Sequence, residues 1–136
     1  GDTVRNYIAL TNLLPPLLQM VDEKKVNVLN SIINGDDIKL QLDKVIDTDK
    51  LFVDRDLRDI NYQVMNVISA FVPNFIGGSS DVVSSTKTYL KGKEDFSSNN
   101  YLGKNIAFGV REHAMAAICN GMTLHGGVKA FCGAFP

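Results

Sequence analysis

Apolar residues recur at helical spacing through the first third of the chain, then alternate between helical stripes and short extended runs. "TVRNYIALTNLL" follows Asp2, a suitable N-cap, and Pro15-Pro16 must bend or end the helix it predicts. In "EKKVNVLNSIING", Val26, Leu29, Ile32 and Ile33 fall at helical intervals, and Gly35 supplies a C-terminal stop. "DDIKLQLDKVID" fits either period: Ile38, Leu40 and Leu42 alternate, whereas Ile38, Leu42 and Val45 suit a helix. Residues 1–53 therefore read as a helical linker or packing segment, with nothing in them that suggests chemistry.

From Asp54 the pattern sharpens. Ile60, Val64, Val67, Ile68 and Phe71 form a helical stripe that Pro73 ends. "NFIGG" predicts a short strand, and "SSDVVSSTKTYLKGKEDFSSNN" a polar loop with room for one short helix. "NIAFGV" is a second strand, "REHAMAAICNGMTLH" a helix ending at Gly126-Gly127, and "VKAFCGAF" a third strand. This order predicts an α/β domain over residues 54–136: a partial parallel sheet flanked by helices and preceded by the helical linker. Ligands on such sheets sit at the carboxyl ends of the strands, here Gly77–Ser85 and Gly109–His113.

Length and composition narrow the possibilities. The 136 residues, 45% of them hydrophobic, suffice for one core. A net charge of −1 gives no basis for capture of nucleic acid or of an anionic membrane. No apolar run reaches the roughly 18–20 residues that a membrane-spanning helix needs, and "LLPPLLQMV" lacks the basic lead of a signal peptide. Cys119 and Cys132 make no CxxC and no disulfide framework, so reduced thiols in a cytoplasmic protein are the simplest expectation. The chain opens on Gly1 and stops inside an expected strand, and both ends read as cuts.

Candidate chemistry gathers at the two expected strand ends. Glu112 opens a helix that is otherwise small and apolar. A carboxylate in a first turn is stabilised by the helix dipole by about 0.3–1 kcal/mol, which alone accounts for it. However, Ala114, Ala116, Ala117, Cys119 and Gly121 make the helix smooth enough for close approach at a subunit interface. A carboxyl buried there would have its pKa raised by desolvation and lowered by the helix end, a contest typical of acid–base sites. His113 and Cys119, six residues apart, cannot share a helical face, and with His125 and Cys132 they make no metal site. In "GGSSDVVSSTK", Gly77 and Gly78 permit close approach of a ligand, Ser84, Ser85 and Thr86 offer hydroxyls, and Lys87, Lys91 and Lys93 add charge suited to a phosphate. The segment also reads as an ordinary serine-rich loop, and it is not the GxxxxGK[ST] phosphate loop. Arg58, at the head of the Ile60–Phe71 helix, reads as a surface arginine or as a phosphate ligand.

Together these residues resemble transketolase. "GGSSDVVSSTKT" is similar to the family's GGSADL-x-x-SN-x-T segment. "NIAFGVREHAMAAICNGMTLHGG" is similar to its N-x-x-(Y/F)G-(V/I)RE-x-x-M-x-x-x-x-NG-x-x-x-HGG segment. The resemblance covers Asp54 to about Phe135 and implies the thiamine-diphosphate-binding fold of the pyrimidine domain, with residues 1–53 in the linker before it. It implies that Glu112 hydrogen-bonds N1′ of the cofactor's aminopyrimidine and so assists removal of the thiazolium C2 proton. Asp81 and Val82 would match the Asp-Leu pair beside the thiazolium ring. Arg58 and Ser85 would match the arginine and serine that take the substrate phosphate. Ser80 stands for the usual alanine, Val82 for leucine and Thr86 for asparagine. The family holds the diphosphate through Mg²⁺ with a GDG…N motif in another domain, and "GDD" at Gly35–Asp37 is only a lookalike.

The resemblance thus implies part of a homodimeric enzyme that transfers a two-carbon ketol unit between sugar phosphates, using thiamine diphosphate and Mg²⁺. The isolated chain is expected to be inactive, with no metal ligand of its own. The alternatives are a naturally short, non-catalytic dimerisation module, or a related thiamine enzyme acting on other substrates.

Overall fold

The computed structural model describes residues 22–36, 42–47 and 55–135. The helix expected between Asp2 and Pro15 and the expected boundary at residues 53 and 54 lie outside them. By its internal contacts the chain divides into two units, Gly1–Asp36 and Asp37–Pro136.

In the first unit, α1 spans Glu23–Asn34 as the spacing predicts. The Asp22 side chain accepts a hydrogen bond from the Lys24 N–H at 2.8 Å, satisfying one of the free donors of the first turn. Gly35, at φ 69°, ends the helix in the left-handed conformation, and its N–H returns to the Ile32 carbonyl. No residue of α1 is fully buried.

The second unit begins its described part with α2, Leu42–Val45, a single helical turn where the pattern fitted either period. Helix α3, Leu57–Phe71, leads to β1, Phe75–Ser79. Val72 is extended (φ −107°, ψ 95°), as the residue before Pro73 must be, and this stops α3. The short helix α4, Val83–Thr86, lies in the loop after β1, followed by β2, Asn105–Ala107. Helix α5, Glu112–His125, then carries the chain to β3, Lys129–Gly133.

The sheet is parallel, with order β2-β1-β3. Gly77 pairs with Asn105 and Phe131, and Ser79 with Ala107 and Gly133. A Cβ at Gly77 would lie 2.0 Å from the Phe131 carbonyl oxygen, and one at Gly78 would lie 1.8 Å from that of Ile106. The paired glycines, expected to admit a ligand, instead let the two outer strands close on the central one.

The stripe of α3 is rotated from the expected face. Met65, Ser69 and Val72 are buried at i, i+4 and i+7, whereas Ile60, Val64, Val67 and Ile68 are half-buried and Phe71 is exposed. The helix is seated along a line beside the most apolar one. On α5, Met115 and Cys119 form a core cluster with Phe108, against which Ile106 and Ala130 pack. Asn105 secures the long loop between α4 and β2. Its amide donates to the Leu90 and Lys93 carbonyls at 3.1 and 2.9 Å and accepts from the Leu90 N–H at 2.7 Å. A buried side-chain amide satisfied in this way fixes the loop where a one-residue register slip would strand a polar group.

Candidate active site

Two turns meet at the carboxyl ends of β1 and β2. In the first, Ser79 and Ser80 are buried, and Asp81 takes φ 68°, a left-handed conformation rare outside glycine. The second turns at Gly109, φ 73°, so that α5 starts at Glu112. Phe108 still donates its N–H to the Ser79 carbonyl at 3.2 Å, so the two turns begin in register although β2 ends sooner than the apolar run does. A cleft of about 500 Å³ opens between them, lined by Ser79, Asp81, Val83, Ser84, Ala107 and Gly109.

Ser80 joins the turns directly. Its hydroxyl donates to Glu112 Oε1 at 2.9 Å, across 32 residues of sequence. The Glu112 carboxyl is exposed in this chain, not buried as the smooth helix suggested, because no described element covers that side of the first turn. Its pKa lies below the usual carboxylate value. A hydrogen bond from its own backbone N–H is the larger cause and the Ser80 hydroxyl the next, against a smaller upward push from burial. Of the two opposing influences expected there, the lowering one prevails. Arg111, at the N-cap position, makes no side-chain capping bond, which leaves the first turn to Glu112.

The second constellation is held by different contacts. Thr86 is buried, and its hydroxyl lies 2.9 Å from that of Thr88, 3.3 Å from that of Ser79 and 2.9 Å from the Val82 carbonyl. It is a strut between α4 and the end of β1. Val82 is half-buried at the start of α4, and Ser85 is exposed on it. Lys87, left-handed at φ 54°, donates its N–H to the Val83 carbonyl and pairs its ammonium with Asp59. That ion pair brings the end of α4 to the first turn of α3, where Arg58 lies beside Asp59 in sequence. The Lys87 hydrogen bond is also the main reason that the Asp59 carboxyl titrates below its usual range. Arg58 itself is half-exposed, its Nη2 and Nε donating to Asp56 Oδ2 at 2.8 and 3.2 Å. Asp56 thereby offsets the unfavourable placing of a cation at a helix N-terminus. Lys91 and Lys93 are exposed.

The structure therefore joins Glu112 to the turn that carries Asp81 and Val82, and it joins the helix of Ser85 to the turn of Arg58. Ser80, Asp59 and Lys87 make these junctions, and their part was not evident from spacing. The signal for Ser80 was present as the one polar departure inside the GGSADL-like segment. His113 is exposed and Cys119 buried, so they do not converge. Among the described residues no group of three or more His, Cys, Asp or Glu side chains could hold a metal ion. Cys119 donates to the Phe131 carbonyl at 3.6 Å, and burial, with Cys132 beside it, pushes its thiol up to about 11.

A parallel sheet whose strand-end turns carry a carboxylate and hydroxyls is an open α/β arrangement with its polar groups at the carboxyl edge of the strands. Residues 54–136 match the family described as "Transketolase, pyrimidine binding domain", and the chain belongs to the transketolase family through that domain. It is 50% identical over 78 residues to transketolase of Geobacillus stearothermophilus, covering 57% of this chain and 12% of that protein. Against the Aquifex aeolicus transketolase the figures are 43% over 82 residues, 60% and 12%. Among solved structures, transketolase of Pichia stipitis in complex with sedoheptulose 7-phosphate superposes with a TM-score of 0.77 at 28% identity, covering 98% of this chain and 21% of that one. Transketolase of Leishmania mexicana gives 0.77 at 27%, covering 97% and 20%. The match thus spans about an eighth of the length of these curated relatives.

Proposed function

We propose that this chain is part of a transketolase that transfers a two-carbon ketol unit from a ketose phosphate to an aldose phosphate, with thiamine diphosphate and Mg²⁺. The observation that carries this reading is the Glu112 carboxylate, fixed by Ser80 at a strand-end turn beside a cleft of about 500 Å³. The donor set suits the pyrimidine half of the cofactor: a carboxylate oriented by a hydroxyl, next to a cleft whose Asp81 and Gly109 turns leave backbone accessible. It does not suit the diphosphate, whose cation needs ligands from elsewhere in the protein.

Bound there, thiamine diphosphate supplies the carbon nucleophile that carries the two-carbon unit. Glu112 holds or gives a proton at N1′ of its aminopyrimidine ring. Asp81 and Val82 would help hold the thiazolium ring. Arg58 and Ser85 orient the sugar phosphate, Arg58 turning from Asp56 to make a charge-assisted pair. The exposed small and apolar residues of α5, among them Ala114, Ala117, Ile118 and Gly121, support a homodimer formed through this domain. Residues 1–53 serve as the linker and 54–136 as the beginning of the pyrimidine domain, in a cytoplasmic enzyme. The 136-residue chain alone would be inactive, since its described residues offer no ligands for the cation that holds the diphosphate.

The test is ketol transfer by the full-length protein from sedoheptulose 7-phosphate, the sugar in the Pichia complex, to an aldose phosphate. Transfer that requires added thiamine diphosphate and a divalent cation supports the reading; none with both present refutes it. The second reading, a short non-catalytic dimerisation module, draws on the same α5 face and on the lack of metal-holding groups among the described residues. It requires a native polypeptide near 14.9 kDa, whereas the enzyme reading requires one several times larger.

A further inference from the structure

We propose that Ser80 is a positioning residue for Glu112, its hydroxyl holding one carboxylate oxygen so that the other is presented to the proton-exchanging partner in the site. This rests on the acid–base role given to Glu112 above. An exposed glutamate on a first helical turn samples several rotamers, and choosing one on binding has an entropic cost. Here the choice is made beforehand. Ser80 is 2% exposed, on a turn fixed by the left-handed Asp81 and by the hydrogen bond from Phe108 to the Ser79 carbonyl. Its Oγ lies 2.9 Å from Oε1. No other side chain among the described residues donates to the carboxylate, which keeps acceptor capacity for a ligand. A donor that is itself immobilised by packing fixes an acid–base group far better than solvent does.

The residue type matters as well as the place. An alanine in place of Ser80 could not hold Glu112 in this way, since a methyl group can donate no hydrogen bond. Donation to the carboxylate also favours its ionised form. The ionisable groups adjoining Glu112 are Asp81, in the turn beside Ser80, and Arg111 and His113, on either side of it in the chain. All three are common to the parent protein and to a Ser80 variant, so a difference between the two reports the hydroxyl.

The experiment uses the full-length enzyme with Ser80→Ala, and Glu112→Gln as reference. Loss of the donor lets the Glu112 pKa rise. The acidic limb of the kcat profile should then move to higher pH, by about half to one unit. Affinity of the cofactor-free protein for thiamine diphosphate, measured by calorimetry, should fall about three- to tenfold. The thermal midpoint should stay unchanged, since alanine fits where serine does. An unmoved limb or an unmoved affinity overturns the role of Ser80, and Glu112 keeps its own if Glu112→Gln is inactive. Near-normal turnover in Glu112→Gln overturns both.

Discussion

At the residue scale, the site depends on which polar groups are tied and which are free. Among the described residues Arg58 forms its ion pair with its neighbour Asp56, at the surface, where such pairs contribute little, so it can exchange that partner for a phosphate. In the intact enzyme Arg58→Ala should raise KM for phosphorylated donors about ten- to a hundredfold, as loss of a charge-assisted hydrogen bond does. Unphosphorylated donors should be unaffected, and an equal rise for both kinds would remove the arginine from phosphate recognition. The two thiols should differ sharply in reactivity. Cys119 is buried with its pKa pushed up to about 11, while Cys132 is exposed. Because the thiolate is the nucleophile, alkylation near neutral pH should label Cys132 first, and prior labelling of Cys119 in the folded chain would contradict its place in the core. Glu112 was legible as a candidate from its position in an apolar run. Its partner Ser80 showed only as a polar departure in its segment, and its link to Glu112 did not show, because a hydrogen bond across 32 residues has no periodic signature.

At the scale of elements, the sequence pattern located all three strands and the three longer described helices, because each carries a strong local signal. Gly35 ends α1, Pro73 ends α3, and Gly126 closes α5. What the pattern misjudged was the use of particular positions. Gly77 and Gly78 suggested a ligand, yet their missing side chains are what allow β2 and β3 to pair with β1. Periodicity places a glycine in a strand but does not tell whether a ligand or a neighbouring strand approaches it. Gly78→Ala should therefore cost about 1–3 kcal/mol through overpacking, lowering the denaturation midpoint of the full-length protein. An unchanged midpoint would mean that β1 and β2 are not in this register. The stripe of α3 was misjudged as well: Ser69 is buried while Phe71 is exposed, and periodicity shows which face is apolar but not which line along it is covered.

At the scale of the whole molecule, the proposed reading makes the chain one part of a larger enzyme, contributing one half of its site. The strand-end turns hold an oriented carboxylate on one side and line a cleft with Ser79, Asp81 and Gly109, and the described residues hold no cluster fit for the cation that a diphosphate needs. The exposure of Glu112 and of the α5 face has the same physical origin, since a first turn packed only from below leaves its upper side bare. In the assembled enzyme that side would be covered, and the carboxylate would work in a drier setting where its hydrogen bonds weigh more. The sequence could suggest that burial but could not supply the covering surface. The direct test of the central claim is turnover of the full-length enzyme carrying Glu112→Gln, with thiamine diphosphate and Mg²⁺ saturating. The glutamine keeps the size of the side chain and can still accept from Ser80, but cannot exchange a proton at N1′. Turnover should fall by about two to four orders of magnitude while the protein remains folded; turnover close to that of the parent would contradict the acid–base role.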